Sequence, residues 1–148
     1  MNGGKSMETT YKFMADAPYS LHDMRINKIE CIDQMMKLSF ENGFLSMKEP
    51  HTQVDGHMVI EGIDEDFCFA YLLSKNGENG SFEGQKLEFK DFLKVYPNFQ
   101  FEVVDESYGY NMVIYNGYLI LPNQNDFIEC TLVIYYFGNI IFITGEEE

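Results

Sequence analysis

Among its 148 residues the chain has no tryptophan, a single arginine (Arg25), four prolines and three cysteines, and only ten basic side chains stand against 24 acidic ones. Each scarcity excludes something. Three is an odd number of cysteines, and Cys31, Cys68 and Cys130 lie far apart in apolar, strand-like surroundings, which argues against a disulfide framework or a thiolate zinc site. They are expected to be buried, reduced thiols of a cytoplasmic protein. No run of 18 apolar residues exists to cross a membrane as a helix, and Met1-Asn2-Gly3-Gly4-Lys5-Ser6 leads into polar residues rather than an export signal. The shortage of basic residues leaves a net charge of −14. A field of that sign repels phosphate backbones and anionic lipid, so no nucleic acid and no membrane are expected; it would attract a basic protein partner, or it serves solubility alone. No Gly-rich phosphate loop, Gly-x-Ser-x-Gly or Cys-x-x-Cys is present, so no enzyme class is indicated and no cofactor is expected.

What is present suits one globular domain spanning residues 1–148, with 1–18 expected to be a flexible N-terminal segment. Apolar residues make up 45% of the chain and aromatics 16%, enough for a core of large side chains. Turn signals divide it. Asn42-Gly43 and Asn116-Gly117 suit tight type I′ hairpins and Gly138-Asn139 the II′ version, while 75–81 and 121–126 read as longer polar loops.

Between the turns the side chains alternate with period two. Met36, Leu38 and Phe40 share one face, as do Phe99, Phe101 and Val103, and Tyr110, Met112 and Ile114. Ile128, Cys130, Leu132, Ile134 and Tyr136 give a fully apolar face, so this strand is expected inside a sheet. Phe67 to Leu73 is apolar on both faces and is expected to be covered twice. Further strands are expected at 24–32, 57–63, 118–121 and 140–144. Phe89, Phe92, Leu93 and Tyr96 instead recur at helical spacing, and Pro97 stops the helix. The fold class is mainly β: an antiparallel two-sheet sandwich or barrel with one short helix near residues 89–96.

Leu21-His22-Asp23-Met24-Arg25-Ile26, followed by Ile29 and Met36-Lys37-Leu38-Ser39-Phe40, resembles the Leu-His-Asp opening of small β-rich bacterial proteins of unknown function, including some immunity proteins of toxin systems. The resemblance implies a β-rich binding protein without chemistry of its own, whose acidity would suit a basic toxin.

Other clusters give the candidate sites. His22 beside Asp23 has the composition of a general base, and Arg25 that of an anion clamp. The structural alternative has Asp23 capping a turn or pairing with Arg25 to pin the first strand. Tyr108 and Tyr110, with Tyr115 and Tyr118, suit a ligand-binding face for a sugar, although tryptophan, the strongest stacking residue, is lacking and tyrosine is also simply a good strand former. His51, Asp55 and His57 do not match a compact metal site, and Glu61, Asp64, Glu65 and Asp66 lack the spacing of a calcium loop and read as a solvated hairpin tip. Two functional classes result. One is a soluble binding or interaction protein, an immunity-like inhibitor of a basic partner; the other is a small-ligand binder or enzyme with a pocket between the sheets.

Overall fold

The alternation of apolar and polar side chains becomes thirteen strands and one α-helix in the computed structural model, which describes residues 6–11, 16–73, 84–122 and 127–145. The strands are β1 (Ser6–Tyr11), β2 (Tyr19–Ser20), β3 (Arg25–Ile32), β4 (Met35–Phe40), β5 (Phe44–Ser46), β6 (Gln53–Val54), β7 (Gly56–Glu61), β8 (Phe69–Leu72), β9 (Gln85–Glu88), β10 (Gln100–Gly109), β11 (Met112–Ile120), β12 (Phe127–Tyr135) and β13 (Ile140–Gly145). Helix α1 spans Phe89–Val95, and a 3-10 turn covers Glu65–Phe67.

Ten strands form one antiparallel sheet in the order β1-β13-β7-β4-β3-β10-β11-β12-β8-β9, and β2-β5-β6 form a second. The large sheet folds on itself at the seam between β3 and β10. There the ladder narrows to two pairs, Ile26 with Phe101 and Arg25 with Glu102, whereas β10 and β11 pair along their whole length. A register shift flanks the seam on each side, at Asn27 in β3 and Val104 in β10. An extra residue bends its strand and steepens its twist, so two bulges in adjoining strands turn the sheet from one layer into the next.

The layers β1-β13-β7-β4-β3 and β10-β11-β12-β8-β9 then face each other. The Tyr115 hydroxyl on β11 donates to Met58 Sδ on β7 at 3.8 Å, and the rings of Tyr11 on β1 and Tyr108 on β10 stand 5.1 Å apart. Between them lie Ile26, Leu38, Met58, Ile60 and Phe142 from one layer and Phe101, Val103, Val113, Leu132 and Ile134 from the other, all inaccessible to solvent. Each such side chain contributes about 1.5–3 kcal/mol by leaving water. The edge strands β1 and β9 do not pair with each other, so the fold is an open sandwich and not a barrel. The small sheet closes one side through its rings, with Phe44 packed against Tyr19 at 4.9 Å and edge-on to Phe142 at 5.5 Å.

Several expectations hold. Alternation places Cys130, Leu132, Ile134 and Tyr136 inside and Glu129 outside, and β12 is flanked on both sides. The helix occupies its expected place, burying Phe89 and Phe92 and ending at Tyr96, before Pro97.

The turn assignments are corrected. Asn116-Gly117 is no hairpin but the interior of β11, so 112–120 is one strand. Asn42-Gly43 links β4 to β5, which belong to different sheets, and Gly138-Asn139 links β12 to β13, which lie in different layers. In the first case only Gly43 has positive φ (71°), where a type I′ turn requires two such residues. The tight turn of that kind is Asp33-Gln34 (φ 51° and 63°), closing β3 onto β4. Tyr110 lies in the Tyr110-Asn111 turn rather than in a strand.

Strand β8 is covered on one face only: Ala70 and Leu72 are buried, while Phe69 on the outer face meets the Lys86 ammonium 4.0 Å above its ring. Within the segment expected to be flexible, Ser6–Tyr11 pairs with β13 and buries Tyr11. Most of the loops expected at 75–81 and 121–126 lies outside the described residues.

Candidate functional site

Asp23 adopts φ 65° in a turn closed by the Met24 N–H donating to the Leu21 carbonyl at 2.8 Å, a conformation that aspartate tolerates better than most residues. His22 Nδ1 stands 3.1 Å from Asp23 Oδ2, with both side chains exposed. Arg25 does not pair with Asp23. Its guanidinium reaches across the seam to Glu102 at 3.4 Å and donates to Gln100 Oε1 at 3.3 Å. The reason is register: Arg25 lies opposite Glu102 in the ladder, while Asp23 has already left the strand. Arg25 therefore pins β3 to β10. Because the pair is partly solvated, Arg25→Ala is expected to cost about 0.2–1 kcal/mol. A loss of more than about 2 kcal/mol in denaturant unfolding would contradict this surface role.

The tyrosines divide. Tyr108 turns inward and donates to Glu106 Oε1 at 2.6 Å, while the other carboxylate oxygen accepts from the Ser20 hydroxyl at 3.1 Å and the Leu21 N–H at 2.8 Å. Burial, with Tyr115 and Glu106 adding to it, pushes the Tyr108 hydroxyl well above its ordinary pKa; Tyr115 is raised for the same leading reason. These hydroxyls stay protonated and serve as structural donors, and the Glu106 carboxylate ties the Leu21-His22-Asp23 turn to β10. Tyr110 is 72% exposed on its turn. The structure thus brings His22 and Asp23 together but separates Arg25, Tyr108 and Tyr110 by role.

His51 is exposed, while His57 on β7 is half-buried and its pKa lowered by burial and then by Lys37. Among the described residues, no three His, Cys, Asp or Glu side chains converge as metal ligands. Cys68 and Cys130 are buried, but Cys31 is only half-buried, near the end of β3, a correction to its expected place in the core.

Sequence reasoning misses another feature. Glu61 to Asp66 is not a hairpin tip but a crossover from β7 in one layer to β8 in the other, since these strands are not neighbours. The crossover is held by hydrogen bonds from several elements. The Ile63 N–H donates to the Gln34 carbonyl at 2.8 Å, the Asp64 N–H to Tyr135 at 3.0 Å, and the Phe137 N–H to Gly62 at 2.8 Å. Cys68 packs beneath, its thiol donating to the Asp64 carbonyl at 3.2 Å.

Between these segments opens a hollow of about 440 Å³, lined by Gln34, Gly62, Ile63, Asp64, Glu65, Asp66 and Phe137. Exposed Phe137 is the one aromatic among these lining residues; Ile32 and Met35 flank the β3–β4 turn beside Gln34, and Phe67 and Tyr135, with rings 6.0 Å apart, are also exposed at this end. Tyr110 belongs to the same end, because Asn111 beside it accepts from the Tyr136 N–H. Six of the thirteen large apolar residues exposed among the described residues thus lie at this end, Ile32 and Met35 on the outer face of one layer and Tyr135 on that of the other. Asp64, Glu65 and Asp66 line it, and among the described residues no ion pair engages any of them.

No helix among the described residues is long and apolar enough to cross a membrane. No protein-family model, curated protein or solved structure matches this chain.

Proposed function

We propose that this chain is a cytoplasmic binding protein whose partner is a basic protein, and that it acts by occupying that partner's surface, as an inhibitor of the immunity type does. The carrying observation is electrostatic: the net charge is −14, its one arginine is engaged internally with Glu102, and three carboxylates that no ion pair engages among the described residues line an exposed hollow. Such a field raises encounter rates with cationic proteins and repels phosphate, and it extends about 8 Å at physiological ionic strength. The Leu21-His22-Asp23 resemblance supports the same reading.

The test measures association of the purified chain with small basic proteins, an acidic protein and duplex DNA, at about 20 and about 300 mM salt. Binding to basic proteins is expected, with an association rate falling tenfold or more across that range. Equal binding to the acidic protein, or direct capture of DNA, would overturn the reading.

A further inference from the structure

We infer that the apolar end around the hollow at Gly62 and Phe137 is the docking surface, and that its occupant is a basic protein segment in which arginines flank an apolar side chain. The inference rests on the basic-partner reading above and adds the place and the mode of recognition.

The apolar character of the surface is the first argument. Phe137, which lines the hollow, is 69% exposed, and a side chain of this size in the open at a concave site has the composition of the centre of an interface rather than of ordinary surface. The hollow, at about 440 Å³, has the volume of a small ligand pocket and admits one large side chain.

Charge decides what that occupant is. None of the seven lining residues is basic, and Asp64, Glu65 and Asp66 form one wall. A second copy of this chain, also at −14, would bring like charge against like; a phosphate-bearing surface would do the same. A cationic segment is attracted. Arginine fits better than lysine, because a guanidinium stacks flat on an aromatic ring while forking to a carboxylate, and Phe137 lies beside those carboxylates. The fold already holds one cation over an aromatic ring, the Lys86 ammonium above Phe69.

The test uses three synthetic peptides with Gly-Ser flanks, centred on Arg-Leu-Arg, Lys-Leu-Lys and Glu-Leu-Glu, titrated into the intact isotope-labelled chain and followed by NMR. The Arg-Leu-Arg peptide is expected to shift the amides of Gln34, Gly62 and Phe137, to bind more tightly than the lysine peptide, and to weaken as salt rises. The glutamate peptide should leave the spectrum unchanged. Phe137→Ala combined with Glu65→Gln removes exposed groups only, and unchanged thermal unfolding would confirm that the fold persists. This variant should lose about tenfold in affinity. Phe127→Ala, at the opposite end of β12, should lose nothing. Salt-dependent binding that maps elsewhere, that survives the double variant, or that is equal for arginine and lysine would overturn this inference and leave the basic-partner reading standing. Failure of both cationic peptides to bind anywhere would overturn the two together.

Discussion

Gly117→Ala should destabilise the protein by roughly 3 kcal/mol or more, far beyond the usual cost of adding a methyl group. The residue has an unremarkable φ, so the backbone's conformational preference is not the cause. Its place opposite the bulge in β10 is. Where Val104 stands out of register, the Glu102 carbonyl is driven against β11, and a Cβ at position 117 would lie 1.9 Å from that oxygen and 3.1 Å from the Phe101 ring. Neither neighbour can yield cheaply. Glu102 pairs with Arg25 in the two-pair seam that joins the layers, and Phe101 is wholly buried. Relief would require straightening the bulge, and the bulge is what turns the sheet. The measurement is the urea midpoint against Gly145→Ala, where nothing lies within 4 Å and the change should stay within about 0.5 kcal/mol. Equal midpoints for the two variants would show that β10 does not need its bulge.

The same glycine shows where the sequence is legible and where it is not. Alternation over Met36 to Phe40 and over Ile128 to Tyr136 is set by one-sided burial, a local property written into local spacing, and the strands lie where it puts them. The helix at Phe89 is legible for the same reason. Asn116-Gly117 misleads because a glycine required by a neighbouring strand's backbone looks like one required by a turn. The turn at Asp33-Gln34 escapes notice because it reaches positive φ without glycine, and its second residue, glutamine, is not one that turn rules favour there.

The candidate surface is harder still to read. Gln34, Asp64 and Phe137 are separated by up to 103 positions and line one hollow only through the crossover from β7 to β8. Asp64, Glu65 and Asp66 are visible in the sequence as a run of charge. Their apolar company is not, because each exposed aromatic residue taken alone reads as part of a strand.

Raising the pH from about 8 to about 10.5 should sharply weaken the fold, and the buried thiols supply a specific share of that loss. Burial holds Cys130 at about 12, well above an ordinary thiol, and raises Cys68 and Cys31 to about 11. The direction follows from proton binding. Above about pH 9 the unfolded chain releases its thiol protons while the folded chain keeps them, so the unfolded state binds fewer protons and stability falls as pH rises. The contribution is fully present below about pH 9 and is lost progressively up to about 11 for Cys68 and about 12 for Cys130. For Cys130, inaccessible to solvent beside β11, the decline is the steepest of the three within that window. Half-buried Cys31 adds less, because water screens it. Tyr108, Tyr115 and Tyr136, raised in the same direction, extend the decline to higher pH. The check is the urea midpoint across the pH range for the parent chain and for Cys130→Ala. The variant loses packing and should be weaker at neutral pH, yet its decline with pH should be shallower. Parallel declines for the two proteins would show that Cys130 ionises as readily in the folded state as in the unfolded one, and that the alkaline loss comes from other groups.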